Sequence, residues 1–175
     1  VADLKNWKDG DYGLTIGAPT QEPERIAPVV YPNSVAYLAM DGAAAPKGVT
    51  FGGGTKSDSF NGSAFDDVIT TGGGLSNYVM AFAGDDMVVG GDGRDFIRTG
   101  QNASSPTLKD NDIGFGGEHS DVLMGGAGDD QLWGEYIDSA NEAAGADSGE
   151  YGDWVSGELG NDTLNGSRKG DALFG

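Results

Sequence analysis

An all-β solenoid of short, stacked strands is the fold this sequence predicts, and three observations predict it. A nine-residue template, Gly-Gly-x-Gly-x-Asp-x-apolar-x, recurs from Gly53 to Phe174 and is clearest in Gly90–Arg98 and Gly125–Trp133. So short a repeat cannot bury a face alone and must stack on its neighbours. The chain has 32 glycines and only 37% apolar residues, poor material for an ordinary globular core. Finally, one large apolar residue returns two places after almost every repeat Asp, which supplies one inward side chain per strand.

At 175 residues the chain is about one domain long. Its net charge of −18 comes from 28 acidic and 10 basic residues. A compact chain with that charge repels itself, so a counter-charge is required. Nucleic acid and anionic membrane are poor partners for such a surface, since both need basic residues; multivalent cations fit. There is no cysteine, hence no disulfide, thiolate metal site or cysteine nucleophile. No apolar run approaches the roughly 20 residues that span a bilayer. The chain opens at Val1 without Met or a signal-like start, and stops at Phe174-Gly175, where another repeat could begin. It is expected to be a processed product or a piece of something larger.

Residues 1–50 differ from the rest, with six acids, four bases and five glycines against 22, six and 27 in the remainder. Tyr12, Leu14 and Ile16 alternate after Asp9-Gly10, which suggests a short strand or hairpin. Pro23, Pro28 and Pro32 break the next stretch, and Val35 to Met40 reads as another short strand. Residues 1–52 are therefore expected to form an irregular β cap or linker over the first coil, where a solenoid end would otherwise expose core and backbone edges. Residues 53–175 form the repeat region.

In that region position six is Asp58, Asp67, Asn77, Asp86, Asp95, Asp112, Asp121, Asp130, Asp153, Asp162 and Asp171. Position eight is Phe60, Ile69, Val79, Val88, Ile97, Gly114, Leu123, Leu132, Val155, Leu164 and Leu173. This makes about eleven half-coils. Thr71 reads as a single extra residue, and residues 99–112 and 134–153 read as enlarged turns that preserve strand order. Gly114 is expected to leave a gap in the core.

Six glycine-rich residues make a tight turn in which the backbone can approach an ion closely, and three residues form a strand. Two repeats close a flattened coil, and coils stack about 4.8 Å apart. Turns then alternate between two edges. One edge stacks Asp58, Asn77, Asp95, Asp121, Asp153 and Asp171; the other stacks Asp67, Asp86, Asp112, Asp130 and Asp162. Carboxylates that close repel strongly where solvent is scarce. A hard divalent cation between rungs removes the repulsion, and Ca²⁺ favours six or more oxygens from carboxylates and carbonyls. About nine such sites fit between successive rungs.

With those residues in register, the chain resembles the repeats-in-toxin (RTX) family of calcium-binding, type I-secreted bacterial proteins, over residues 53–174. The resemblance implies a parallel β-roll, a right-handed β-solenoid. It implies Ca²⁺ held by the position-six side chains and by the carbonyls of Gly53, Gly90, Gly91, Gly93, Gly116, Gly117, Gly125, Gly126, Gly128, Gly157 and Gly160. It further implies secretion while unfolded and folding in millimolar calcium outside the cell. Asn77 departs from the pattern by offering a neutral oxygen. Lys56, Phe65, Leu75, His119 and Lys169 stand where the fourth-position glycine belongs, which predicts strained turns.

Other features have plainer readings. Asp66-Asp67, Asp85-Asp86 and Asp129-Asp130 look like catalytic pairs, but the repeat already explains the second member of each as a ligand. His119 is the sole histidine, with no second one for a zinc site. No catalytic residue and no organic cofactor is predicted. Glu135, Asp138, Glu142, Asp147 and Glu150 make an acidic enlarged turn, flanked by Tyr136 and Tyr151, that reads as a solvated loop, a further calcium site or a partner contact. Tyr78, Met80, Met87, Phe96, Ile113, Phe115, Met124, Trp133, Trp154 and Phe174 fall at positions seven or nine, which face outward. They are either covered by the N-terminal segment and enlarged turns or form a docking surface for a neighbouring domain or a second copy. Three functions are open: a calcium-dependent structural module of a secreted or cell-surface protein, self-assembling or not; an accessory roll of a secreted hydrolase or epimerase whose catalytic domain lies outside this chain; and an adhesive or ligand-binding face.

Overall fold

The computed structural model of the chain describes residues 2–3, 38–101, 110–135, 152–166 and 170–175. Its regular structure there is all strand: β1 (Ala2–Asp3), β2 (Leu38–Asp41), β3 (Thr50–Gly52), β4 (Asp58–Asn61), β5 (Val68–Gly72), β6 (Tyr78–Met80) and β7 (Met87–Gly91). These are followed by β8 (Phe96–Arg98), β9 (Ile113–Gly117), β10 (Val122–Ala127), β11 (Gln131–Trp133), β12 (Trp154–Leu159), β13 (Thr163–Asn165) and β14 (Ala172–Phe174). From β2 onward, successive strands alternate between two parallel sheets. One sheet runs β1-β2-β4-β6-β8-β10-β12-β14 and the other β3-β5-β7-β9-β11-β13. This is the expected all-β parallel roll, two strands to a coil.

The pairing register puts position eight of every repeat in one of two columns. Met40, Phe60, Val79, Ile97, Leu123, Val155 and Leu173 align along the first sheet. Phe51, Ile69, Val88, Gly114, Leu132 and Leu164 align along the second. The two columns meet to form the core, in which Phe60, Ile69, Val79, Val88, Ile97, Leu123, Leu132 and Val155 are all buried. Leu173, on the last coil, remains 46% exposed. Both long insertions leave the register intact, since β7 pairs with β9 and β10 with β12.

Two sequence expectations change. Gly114 leaves no gap: a methyl group added there would meet Leu132 Cδ2 at 2.9 Å and Thr99 Cγ2 at 3.3 Å. The neighbouring side chains have closed over it, as close packing demands. Thr71 is not the extra residue. Thr70 pairs with Val89 and Gly72 with Gly91, so Thr71 aligns with the position-one Gly90, and Gly74 falls at position four with φ +128°. The added residue is Leu75, at a turn tip and 89% exposed. Composition and sheet do not change together. The glycine-rich repeats start near Gly53, yet β2 and β3 already extend the two sheets by a coil whose position-six places hold Leu38 and Val49.

Candidate metal centre

Each edge of the roll carries one column of position-six side chains, and one hydrogen bond builds both columns. The backbone N–H of each rung donates to Oδ1 of the next rung. On the first edge Asp58 donates to Asn77 at 2.8 Å, Asn77 to Asp95 at 2.8 Å, Asp95 to Asp121 at 2.7 Å, Asp121 to Asp153 at 2.8 Å and Asp153 to Asp171 at 2.9 Å. On the second edge Asp67 donates to Asp86, Asp86 to Asp112, Asp112 to Asp130 and Asp130 to Asp162, at 2.7–3.0 Å. The second ladder begins with Val49 N–H on Asp67 Oδ1 at 2.6 Å. All eleven predicted rung residues therefore fall in the two columns expected for them. Asp162 and Asp171, at the end of the stack, are half-buried; the other nine are buried.

Using Oδ1 for the backbone turns Oδ2 toward the glycine turn. At Asp86, Asp112, Asp130 and Asp162 this oxygen is buried and has no hydrogen-bond partner. A buried carboxylate oxygen without a partner is costly. Burial accordingly pushes the Asp86 carboxyl up to about 9, Asp112 up to about 8 and Asp130 up to about 6. Asp67 and Asp95 are raised for the same reason, although hydrogen bonds from Ser63 and Val49, and from Asn77 and Gly91, oppose the shift.

The position-one glycines complete the cradle. A side chain at Gly53, Gly90, Gly116, Gly125 or Gly157 would collide with Oδ2 of its own turn's Asp, and most would also strike a carbonyl of the adjoining coil. Gly62, Gly100, Gly134 and Gly166 are in the same situation and were not singled out from the sequence. Thr71 and Ala81 are the described exceptions. Position four is left-handed at Gly74, Gly84, Gly93, Gly128 and Gly160, and also at His119 with φ +84°, so the strain expected at His119 is present. Lys56 and Phe65 avoid that conformation, and Lys169 lies outside the described residues. At position two, Gly117 and Gly126 are left-handed, as are Phe82 and Glu158. Gly91 closes on the backbone of Gly72.

No three acidic or imidazole side chains converge among the described residues. A bound ion would therefore take carboxylates from adjacent rungs and fill its shell with turn carbonyls. That all-oxygen set is hard and acidic, which suits Ca²⁺ and not a soft metal. The residues fit the ion the resemblance implies.

Two further features emerge. Position five on the second edge forms its own solvent-facing ladder: Asp85 N–H donates to Asp66, Asn111 to Asp85, Asp129 to Asn111 and Asn161 to Asp129, at 2.8–3.0 Å. Its signal in the sequence is the Asp-Asp doublet at alternate repeats, since alternate repeats share an edge. On the outer faces Tyr78 stacks on Phe96 at 5.1 Å and Phe115 on Trp133 at 4.9 Å. Neighbouring coils thus cover part of these rings, while Tyr78, Met87, Trp154 and Phe174 stay exposed. In the acidic enlarged turn Asp138, Glu142, Asp147 and Glu150, with Tyr136 and Tyr151, lie outside the described residues. No helix among the described residues is long and apolar enough to cross a membrane.

The family model described as the RTX calcium-binding nonapeptide repeat matches the chain in four copies, over residues 52–74, 76–103, 110–135 and 147–175. No curated protein and no solved structure is matched.

Proposed function

We propose, from the premise that the chain belongs to the RTX calcium-binding nonapeptide-repeat family, that it is a structural module of a secreted or cell-surface protein that folds when it meets extracellular Ca²⁺. The repeats of this family bind calcium and are structural, not catalytic. The observation that carries the reading is the pair of buried aspartate columns, in which the inward Oδ2 of Asp86, Asp112, Asp130 and Asp162 has no protein partner. In this reading the ions lie along both edges, held by Asp67, Asp86, Asp95, Asp112, Asp121, Asp130, Asp153, Asp162 and Asp171 with the turn carbonyls. Without the ions the columns repel, and the glycine-rich chain has little core to offset its entropy. With them each coil closes on the next, so folding is coupled to calcium outside the low-calcium cytosol.

A calcium titration followed by circular dichroism tests this. The expected result is a largely disordered chain in chelator and a cooperative gain of β structure between roughly 10⁻⁴ and 10⁻³ M Ca²⁺. A spectrum unchanged by chelator would sink it. The outward aromatic stacks support a second role, docking to a neighbouring domain or a second copy. Calcium-dependent growth of particle size in size-exclusion chromatography supports that role, and a strict monomer at all concentrations counts against self-assembly.

A further inference from the structure

Asn77 is the one rung that is not an aspartate, and the hydrogen bonds around it decide what it presents to a cation. In every rung beyond the first of each edge Oδ1 takes the N–H of the preceding rung. Asn77 obeys, accepting from Asp58 N at 2.8 Å. Its amide is thereby oriented: Oδ1 is used, and Nδ2 occupies the place that Oδ2 holds elsewhere. Nδ2 donates to Asp95 Oδ1 at 3.0 Å, beside the Asn77 backbone N–H on the same oxygen at 2.8 Å. Turning the amide over would set Nδ2 against the Asp58 N–H and Oδ1 against the Asp95 carboxylate, two repulsions for no gain. Nitrogen of an amide donates and does not ligate Ca²⁺. The sequence reading of Asn77 as a neutral oxygen ligand is therefore replaced.

The turn around it agrees. Thr71 stands at the position that is Gly53 one coil earlier and Gly90 one coil later, and it is fully buried. A side chain thus fills the space that glycine leaves open before the carboxylate of those coils. What it adds there is a neutral hydroxyl, buried without a hydrogen-bond partner, and not a charge.

Resting on the calcium reading above, we propose that the Asn77 rung is a built-in break in the first-edge row of ions, with the amide hydrogen-bonded to Asp95 where a cation would otherwise sit. Both steps that include Asn77 stay metal-free. Ions on that edge then bridge only from Asp95 through Asp121 and Asp153 to Asp171, while the second edge runs unbroken from Asp67 to Asp162. The chain takes up roughly seven ions instead of about nine.

Native mass spectrometry of the whole chain, stripped by chelator and reloaded with CaCl₂, reads this count directly for wild type, Asn77→Asp and Asp121→Asn. Roughly seven ions in wild type, a gain of about two in Asn77→Asp and a loss of about two in Asp121→Asn are expected. A full wild-type count of about nine, or equal counts in wild type and Asn77→Asp, overturns the break while leaving the calcium reading intact. Should Asn77→Asp fail to fold, the wild-type count and the Asp121→Asn loss decide. No calcium bound by any of the three overturns both.

Discussion

Along one edge of the roll the rungs run Asp58, Asn77, Asp95, Asp121, Asp153 and Asp171; along the other they run Asp67, Asp86, Asp112, Asp130 and Asp162 with no neutral member. The backbone pattern is the same on both, yet the electrostatic load is not. On the second edge burial raises four successive carboxyls, Asp67, Asp86, Asp112 and Asp130. Neighbouring acids such as Asp66, Asp110 and Asp129 raise them further. On the first edge Asp95 is raised by burial and by neighbouring Asp92 but held back by two hydrogen bonds from Asn77 and one from Gly91. A hydrogen-bonded ladder organises carboxylates equally well in either case. Whether it needs an ion depends on what else each carboxylate touches.

The sharpest way to break the comparison is Asp112→Ala, which removes the middle carboxylate of the unbroken edge. The calcium midpoint by circular dichroism should rise at least about tenfold, or the transition should vanish, since two adjoining sites lose a ligand. Asp95→Ala should also raise the midpoint, by roughly three- to fivefold, because one of its two neighbours is already the amide of Asn77. Equal effects from the two variants would erase the difference between the edges.

Acidity offers a third test, in chelator. The Asp86, Asp112 and Asp130 carboxyls titrate higher in the folded chain than the ordinary value of 3.8. The metal-free fold therefore binds protons more tightly than the unfolded chain. That stabilisation is full below pH 3.8 and is lost as pH rises through about 6, 8 and 9. Metal-free β structure should consequently grow on acidification from pH 9 to pH 4, whereas calcium affinity should fall, because the ligands must be ionised to bind. β content in chelator that falls on acidification contradicts this. The smallest effect belongs to Asp92→Ala, an exposed third-position acid outside both columns; its calcium midpoint should match wild type within about twofold.

Much of this architecture was legible in the residues. Asp at position six and an apolar residue at position eight specify a turn and an inward side chain, and alternation by two repeats sorts the rungs onto the correct edges. Where the reading failed, the missing information lay across coils. Along the chain Thr71 reads as the extra residue, and only pairing with β7 shows that it occupies the glycine place and that Leu75 is the addition. Gly114 looks like a void until Leu132 and Thr99 are seen closing over it. The start of the roll was obscured because β2 and β3 lack both the Asp and the glycine signature, although their strands pair in register with the repeats.

The sequence by itself determined the period, the two columns and the oxygen chemistry that suits Ca²⁺, because these follow from spacing and residue type within single repeats. The tertiary structure decided which oxygen of each rung takes a backbone N–H from the preceding coil, and at which rungs the other is left without a protein partner. It also decided that Asn77 presents its nitrogen. Those outcomes depend on the N–H of a residue 18 to 32 positions away, a partner that exists only once one coil lies on another.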